Sequence, residues 1–205
     1  MKYIAHRGLS KVHKDNSIEA IGEALSQNYY GVEIDVQLCK SGEIVLYHDV
    51  YTSCGFIDEL ELIDLKKMGI CSLKDVYDQL PRIRDIVIII DIKGYDKNVT
   101  NALNKFYEKE DTSKIYFSSF NRKLTNQLSI RFNIGTTFET TYLRAEYDFI
   151  TKGLTCVIIH WTCLDNDFIA FCKNKNIKVL TYTHKEPREL EYMLRYDVDG
   201  IITNG

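Results

Sequence analysis

The run Ile86-Val87-Ile88-Ile89-Ile90 is β-branched throughout and carries no polar side chain. A strand that is apolar on both faces must be covered on both, as in a parallel sheet flanked by helices. The chain repeats this arrangement from end to end. Strand patterns are expected at 2–6, 31–37, 43–48, 85–92, 114–118, 133–138, 156–160, 177–183 and 199–203. Helical patterns are expected at 17–28, 59–68, 72–80, 96–109, 121–130, 141–151, 165–175 and 186–196. Asn16 or Ser17 stands where the first of these helices needs an N-cap, and Ser72-Leu73-Lys74-Asp75 has capping-box spacing. Strand–helix alternation of this kind defines a parallel α/β fold.

Within that class, polar residues at the ends of many different strands favour a (β/α)₈ TIM barrel, where all such ends meet on one face. No Gly-x-Gly-x-x-Gly or P-loop follows any strand, so the nucleotide-binding alternatives lack their signature. The expectation is one somewhat irregular barrel domain over 1–205, with a short insertion after the third strand. Nine strand patterns are one more than a barrel accommodates. Because Cys39-Lys40-Ser41-Gly42 reads as a tight turn, 31–37 and 43–48 are expected to form a hairpin-like unit.

The strand ends carry the chemistry. Ile4-Ala5-His6-Arg7-Gly8 delivers a histidine and an arginine, and Glu43-Ile44-Val45-Leu46-Tyr47-His48-Asp49 ends in a second histidine. In Gly31-Val32-Glu33-Ile34-Asp35-Val36-Gln37, period two puts Glu33 and Asp35 on one face. Two carboxylates so placed repel unless a cation lies between them, and Mg²⁺ or Ca²⁺ are the hard ions that prefer oxygen. The alternative is an exposed strand face with Val32 and Ile34 turned inward; beside two strand-end histidines the metal site is preferred. Asp91 ends an apolar strand and supplies a third carboxylate. His6 and His48 suit a general acid–base pair, since imidazole changes charge near neutrality. Arg7 and Lys93 suit the oxygens of a phosphate. Phe120, His160, Trp161 and Tyr182 follow or end strands and are candidates for the substrate pocket, with core packing an equal reading of Phe120 and Tyr182. Asp49 is a candidate to orient His48, although neighbours in a strand point to opposite faces, which argues against the pairing.

These residues resemble the glycerophosphodiester phosphodiesterase family. The resemblance rests on His6-Arg7-Gly8, Asp15-Asn16-Ser17, Glu33-Ile34-Asp35-Val36, His48-Asp49, Ile90-Asp91-Ile92-Lys93, Ser119-Phe120, Leu180-Thr181-Tyr182-Thr183 and Val198-Asp199-Gly200-Ile201-Ile202-Thr203. It implies a TIM barrel that hydrolyses glycerophosphodiesters to glycerol 3-phosphate and an alcohol such as choline or ethanolamine. It also implies His6 and His48 as the acid–base pair, Glu33, Asp35 and Asp91 as ligands of one divalent cation, and Arg7 and Lys93 as phosphate contacts. The implied route has the free glycerol hydroxyl attack phosphorus, giving a cyclic phosphate that water opens. Asp91 departs from the family's usual Glu and Asn204 from its usual Asp; His184 stands where many relatives carry Asn, which is expected to alter head-group contacts. Two other functions remain open: a phospholipase D-like or lysophospholipase D-like activity on lipid phosphodiesters, and a phosphate-compound binding protein without catalysis.

A formal net charge of −3 provides no basic field for nucleic acid. No apolar stretch approaches the roughly 20 residues that span a bilayer, and His6 follows Met1 too closely to leave room for a signal peptide. The six cysteines show no CxxC pair, which reads as free thiols in a reducing cytoplasm, with Cys156 and Cys172 in the core. The expected partner is a small glycerophosphodiester from lipid and glycerol metabolism, and the sequence is compatible with a homo-oligomer.

Overall fold

The computed structural model describes residues 1–205. The strands in chain order are β1 (Tyr3–His6), β2 (Gly31–Leu38), β3 (Ile44–Leu46), β4 (Tyr51–Thr52), β5 (Gly55–Phe56), β6 (Val87–Ile92), β7 (Ile115–Ser118), β8 (Asn133–Phe138), β9 (Cys156–His160), β10 (Lys178–His184) and β11 (Gly200–Thr203). Helices α1 (Ile18–Ser26), α2 (Leu62–Lys67), α3 (Leu73–Gln79), α4 (Asn98–Phe106), α5 (Arg122–Thr125), α6 (Tyr147–Ile150), α7 (Asn166–Asn174) and α8 (Pro187–Met193) lie between them. Parallel pairing runs β1-β11-β10-β9-β8-β7-β6-β2, and β1 pairs with β2 to close the circle. This is an eight-stranded parallel barrel wrapped by helices, the TIM architecture.

The ninth strand pattern is resolved by β3, which pairs antiparallel with the end of β2 (Val36 with Leu46, Leu38 with Ile44) and lies outside the barrel. The turn through Cys39–Gly42 makes this the expected hairpin, and a second small hairpin, β4–β5, follows in the insertion.

Alternation divides the side chains between two apolar layers. Val32, Ile34, Val36, Ile88 and Ile90 face outward under the helices, whereas Ile4, Ile89, Ile158, Leu180 and Ile202 pack together inside the barrel. Glu33 and Asp35 therefore point inward, 5% and 1% exposed, and the exposed-face reading of that strand fails. Ser72 and Asp75 form the expected reciprocal cap of α3, and Ser17 rather than Asn16 caps α1.

Two helices are much shorter than their patterns. In the 121–130 and 141–151 segments only Arg122–Thr125 and Tyr147–Ile150 are α-helical. Each of these short helices buries only two residues, Leu124 and Thr125 in one and Tyr147 and Ile150 in the other.

No helix is long and apolar enough to cross a membrane. All six cysteines are free, with Cys39, Cys156 and Cys172 buried.

Candidate active site

The strand ends open into a cavity of about 280 Å³ at the carboxyl-terminal mouth of the barrel. His6, Arg7, Glu33, Asp35, His48, Asp91 and Lys93 all line it. Register explains the carboxylates. Asp35 pairs directly with Asp91 across β2 and β6, and Glu33 lies one inward-facing position below Asp35 while pairing with His6 on β1. One oxygen from each of Glu33, Asp35 and Asp91 lies within 4.8 Å of the others.

The turn after β1 builds the adjoining cationic wall. Arg7 adopts a left-handed conformation (φ 57°), followed by Gly8 at φ 77°. A Cβ on Gly8 would stand 2.6 Å from the main-chain carbon of Ala20, so only glycine lets the turn approach α1 so closely. The Arg7 main-chain N–H then donates to Glu33 Oε2 at 3.1 Å. Its guanidinium lies 3.0 Å from Asp35 Oδ2 and 2.9 Å from Asp15 Oδ2. Asn16 completes the support of Asp35, donating from Nδ2 at 2.9 Å and accepting the Asp35 N–H at 3.0 Å.

Lys93 approaches the cluster from the end of β6, 2.6 Å from Asp91 Oδ2 and 3.2 Å from Asp35 Oδ1. The carboxylates respond differently. Burial, then the charges of Asp35 and Asp91, pushes Glu33 well above the usual carboxylate range. Burial also pushes Asp91 up to about 6 against the pull of Lys93. For Asp35 burial works the same way, but Lys93, Arg7 and the Asn16 hydrogen bond outweigh it and hold the carboxyl below its ordinary value. Two cations thus offset a three-carboxylate cluster only in part, and Asp91 Oδ1 is buried without a partner. An oxygen-rich site short of positive charge, with an orphaned carboxylate oxygen, fits a hard divalent cation.

The histidines are held by different means. His6 Nδ1 is 2.7 Å from Asn204 Oδ1, and its Nε2 is 3.9 Å from Glu33 Oε2. Burial, reinforced by Arg7, lowers its pKa to about 4, so the ring is neutral near pH 7. His48 lies beyond β3, where Gln37 Nε2 ties down the carbonyls of Tyr47 and Asp49 at 2.8 and 2.7 Å. The backbone has left the strand there. Asp49 consequently turns back to His48, Oδ1 to Nδ1 at 2.7 Å, contrary to the strand-based expectation.

Phe120, His160 and Tyr182 line the far wall of the cavity; Trp161 does not. Trp161 begins a 3₁₀ turn after β9 and packs beside His160, His184 and Tyr192. His184 is fully buried and bonded to Thr181, so it does not reach the cavity where a head group would lie. Thr137, Glu139 and Lys185 line the cavity without having been singled out from the sequence, and Thr183 lines it although its motif had suggested no role for it. Their signal was position: each lies at or just past the carboxyl end of β8 or β10.

A closed parallel barrel with three buried carboxylates, two histidines and two cations at its carboxyl-terminal mouth is a TIM-barrel enzyme, and its acidic cluster could hold a cation beside groups suited to an anion. The sequence matches the profile of the glycerophosphoryl diester phosphodiesterase family over residues 6–205, and the chain belongs to that family. It is similar to a glycerophosphodiester phosphodiesterase of Caldanaerobacter subterraneus, 23% identical over 226 residues that cover 98% of this chain and 93% of that protein. The crystal structure of a glycerophosphodiester phosphodiesterase from Thermotoga maritima shares the fold, with TM-score 0.86, 23% identity, and coverage of 98% of this chain and 93% of that one. So does a phosphodiesterase of Oleispira antarctica in complex with the product sn-glycerol-3-phosphate, with TM-score 0.87, 20% identity, and coverage of 100% and 93%.

Proposed function

We propose that residues 1–205 act as one domain that hydrolyses small glycerophosphodiesters to glycerol 3-phosphate and an alcohol in the cytoplasm, using one Mg²⁺ or Ca²⁺. The observation that carries this reading is that Glu33, Asp35 and Asp91, from two adjacent strands, share one cavity with both His6 and His48. Glu33, Asp35 and Asp91 would hold the divalent ion, which when bound would supply positive charge against the phosphate and the charge that develops on it.

The protein's own groups do the rest. Arg7 and Lys93 orient the phosphate and balance its charge. His6, neutral and with Nε2 turned toward the carboxylates, takes the proton of the attacking hydroxyl. His48, paired with Asp49, gives a proton to the departing alkoxide. In the second half His48 takes a proton from the water that opens the cyclic phosphate, and His6 returns its proton to the glycerol oxygen, leaving glycerol 3-phosphate. Phe120, His160 and Tyr182 face the alcohol portion from the opposite wall.

Turnover of glycerophosphocholine, lysophosphatidylcholine and bis(p-nitrophenyl) phosphate, with and without EDTA, tests the reading. Chelator-sensitive cleavage of glycerophosphocholine that disappears in folded His48→Ala is expected. Preference for the lysolipid supports a lysophospholipase D-like enzyme, and no cleavage of any diester supports a binding protein.

A further inference from the structure

We infer that Asn204 is the positioning residue of His6: its amide oxygen accepts the imidazole Nδ1–H, fixing the ring in one tautomer with a bare Nε2 turned toward the carboxylate cluster. This assignment rests on the proposed role of His6 as a base.

Three features of the structure carry the inference. The His6 Nδ1–Asn204 Oδ1 separation is 2.7 Å across 198 residues of chain, so the contact joins the first and last barrel strands directly over the site. The opposite ring nitrogen lies 3.9 Å from Glu33 Oε2, so fixing the proton on Nδ1 leaves the cavity-facing nitrogen free to accept one.

Asn204 is itself held rather than free. Between β10 and β11 the register shifts, with Thr181 opposite Ile201 but His184 opposite Thr203, so three steps on one strand meet two on the other. This bulge presents the His184 carbonyl to two donors, the Asn204 main-chain N–H at 3.1 Å and the Thr203 hydroxyl at 2.9 Å. A bulge of this kind re-aims a side chain at the rim of a barrel. Here the side chain aimed at the base is Asn204. An amide provides the acceptor without adding a fourth negative charge beside Glu33, Asp35 and Asp91.

The test is the tautomer of His6, read from ¹⁵N shifts of the histidine side chains with and without Mg²⁺ and assigned by loss of the signal in His6→Gln. A protonated Nδ1 and an unprotonated Nε2 are expected in the wild-type protein. Asn204→Leu should redistribute the proton and lower kcat about 10–100-fold, the usual range for groups that orient a functional side chain from behind. KM and Mg²⁺ affinity should be unchanged, and Asn204→Asp should restore both the Nδ1–H form and most of kcat.

A wild-type Nε2–H tautomer overturns the inference, as does Asn204→Leu with an unaltered ring or unaltered kcat. The wild-type measurement decides even if that variant does not fold. Absence of diester turnover by the wild type removes the hydrolase reading, while the tautomer measurement still tests the pairing.

Discussion

Lys93 Nζ lies 2.6 Å from Asp91 Oδ2, so the end of one strand delivers both a carboxylate of the cluster and the cation that partly neutralises it. The same ammonium is 3.2 Å from Asp35, which also has the Arg7 guanidinium. Glu33 has no such partner, only the Arg7 main-chain N–H and the ring of His6. The unequal cation supply explains why Asp35 stays ionised while burial and like charge raise Glu33 and Asp91.

Removing Lys93 should therefore expose the repulsion. In EDTA, Lys93→Met is expected to lose about 1–3 kcal/mol, the usual cost of a lost charged hydrogen bond. That loss corresponds to about 2–4 °C of melting temperature per kcal/mol at this chain length. Excess Mg²⁺ or Ca²⁺ should recover more stability in the variant than in the wild type. Thermal melts with and without the ion check this, and an equal deficit in both conditions contradicts it.

Ion binding must also displace protons from the raised carboxylates. Asp91, raised to about 6, is partly protonated in mildly acidic solution without the ion, and burial with the neighbouring carboxylates pushes Glu33 upward as well. Affinity is expected to increase as pH rises through about 6, with proton release seen by calorimetry in buffers of different ionisation enthalpy. At an ion concentration 100 times the Kd the protein should gain about 2.7 kcal/mol. Glu33→Gln should lose most of that gain; full ion stabilisation of this variant would remove Glu33 from the site.

Much of this architecture was legible because the barrel imposes strict alternation. Ile88 and Ile90 must face the helices and Ile89 the interior, and the same period turns Glu33 and Asp35 inward. What escaped the sequence lay where period two ends. Strand alternation argued against an Asp49–His48 pair, but β3 ends at Leu46, Gln37 holds the carbonyls on either side of His48, and the pair forms. Trp161, just past the strand 156–160, was a candidate for the pocket, yet a 3₁₀ turn begins there and it does not line the cavity. Asn204 acts across 198 residues, a contact that depends on a bulge no local pattern announces.

The His48–Asp49 pair leads to a graded expectation. Both partners are substantially exposed, with side chains 41% and 59% accessible, so water competes with the carboxylate for the ring. Asp49→Asn should reduce kcat for glycerophosphocholine about tenfold, well short of the roughly 10⁴ that accompanies loss of a buried Asp–His pair. KM should not change, because Asp49 acts through His48 rather than on substrate. Steady-state kinetics decide, and a wild-type kcat would make the contact incidental.

His184 contributes to the acid sensitivity of the fold independently of catalysis, alongside His6, whose pKa burial lowers in the same way. Its ring is fully buried, Nε2 is 2.9 Å from Thr181 Oγ1, and Nδ1 has no partner. Burial lowers its pKa to about 4 from 6.5, although Glu189 favours the charged form and His160 opposes it. Between those values the unfolded chain binds a proton that the folded chain refuses. Stability should therefore fall as pH drops through 6.5, and this contribution should level off below about 4. His184→Gln keeps a hydrogen-bonding partner for Thr181 and cannot titrate. Urea unfolding in EDTA at pH 7.5 and 5 should show a smaller loss of stability for the variant, by up to about 1.4 kcal/mol per pH unit below 6.5. Parallel pH profiles for the two proteins would mean that the folded ring takes its proton as readily as an exposed one.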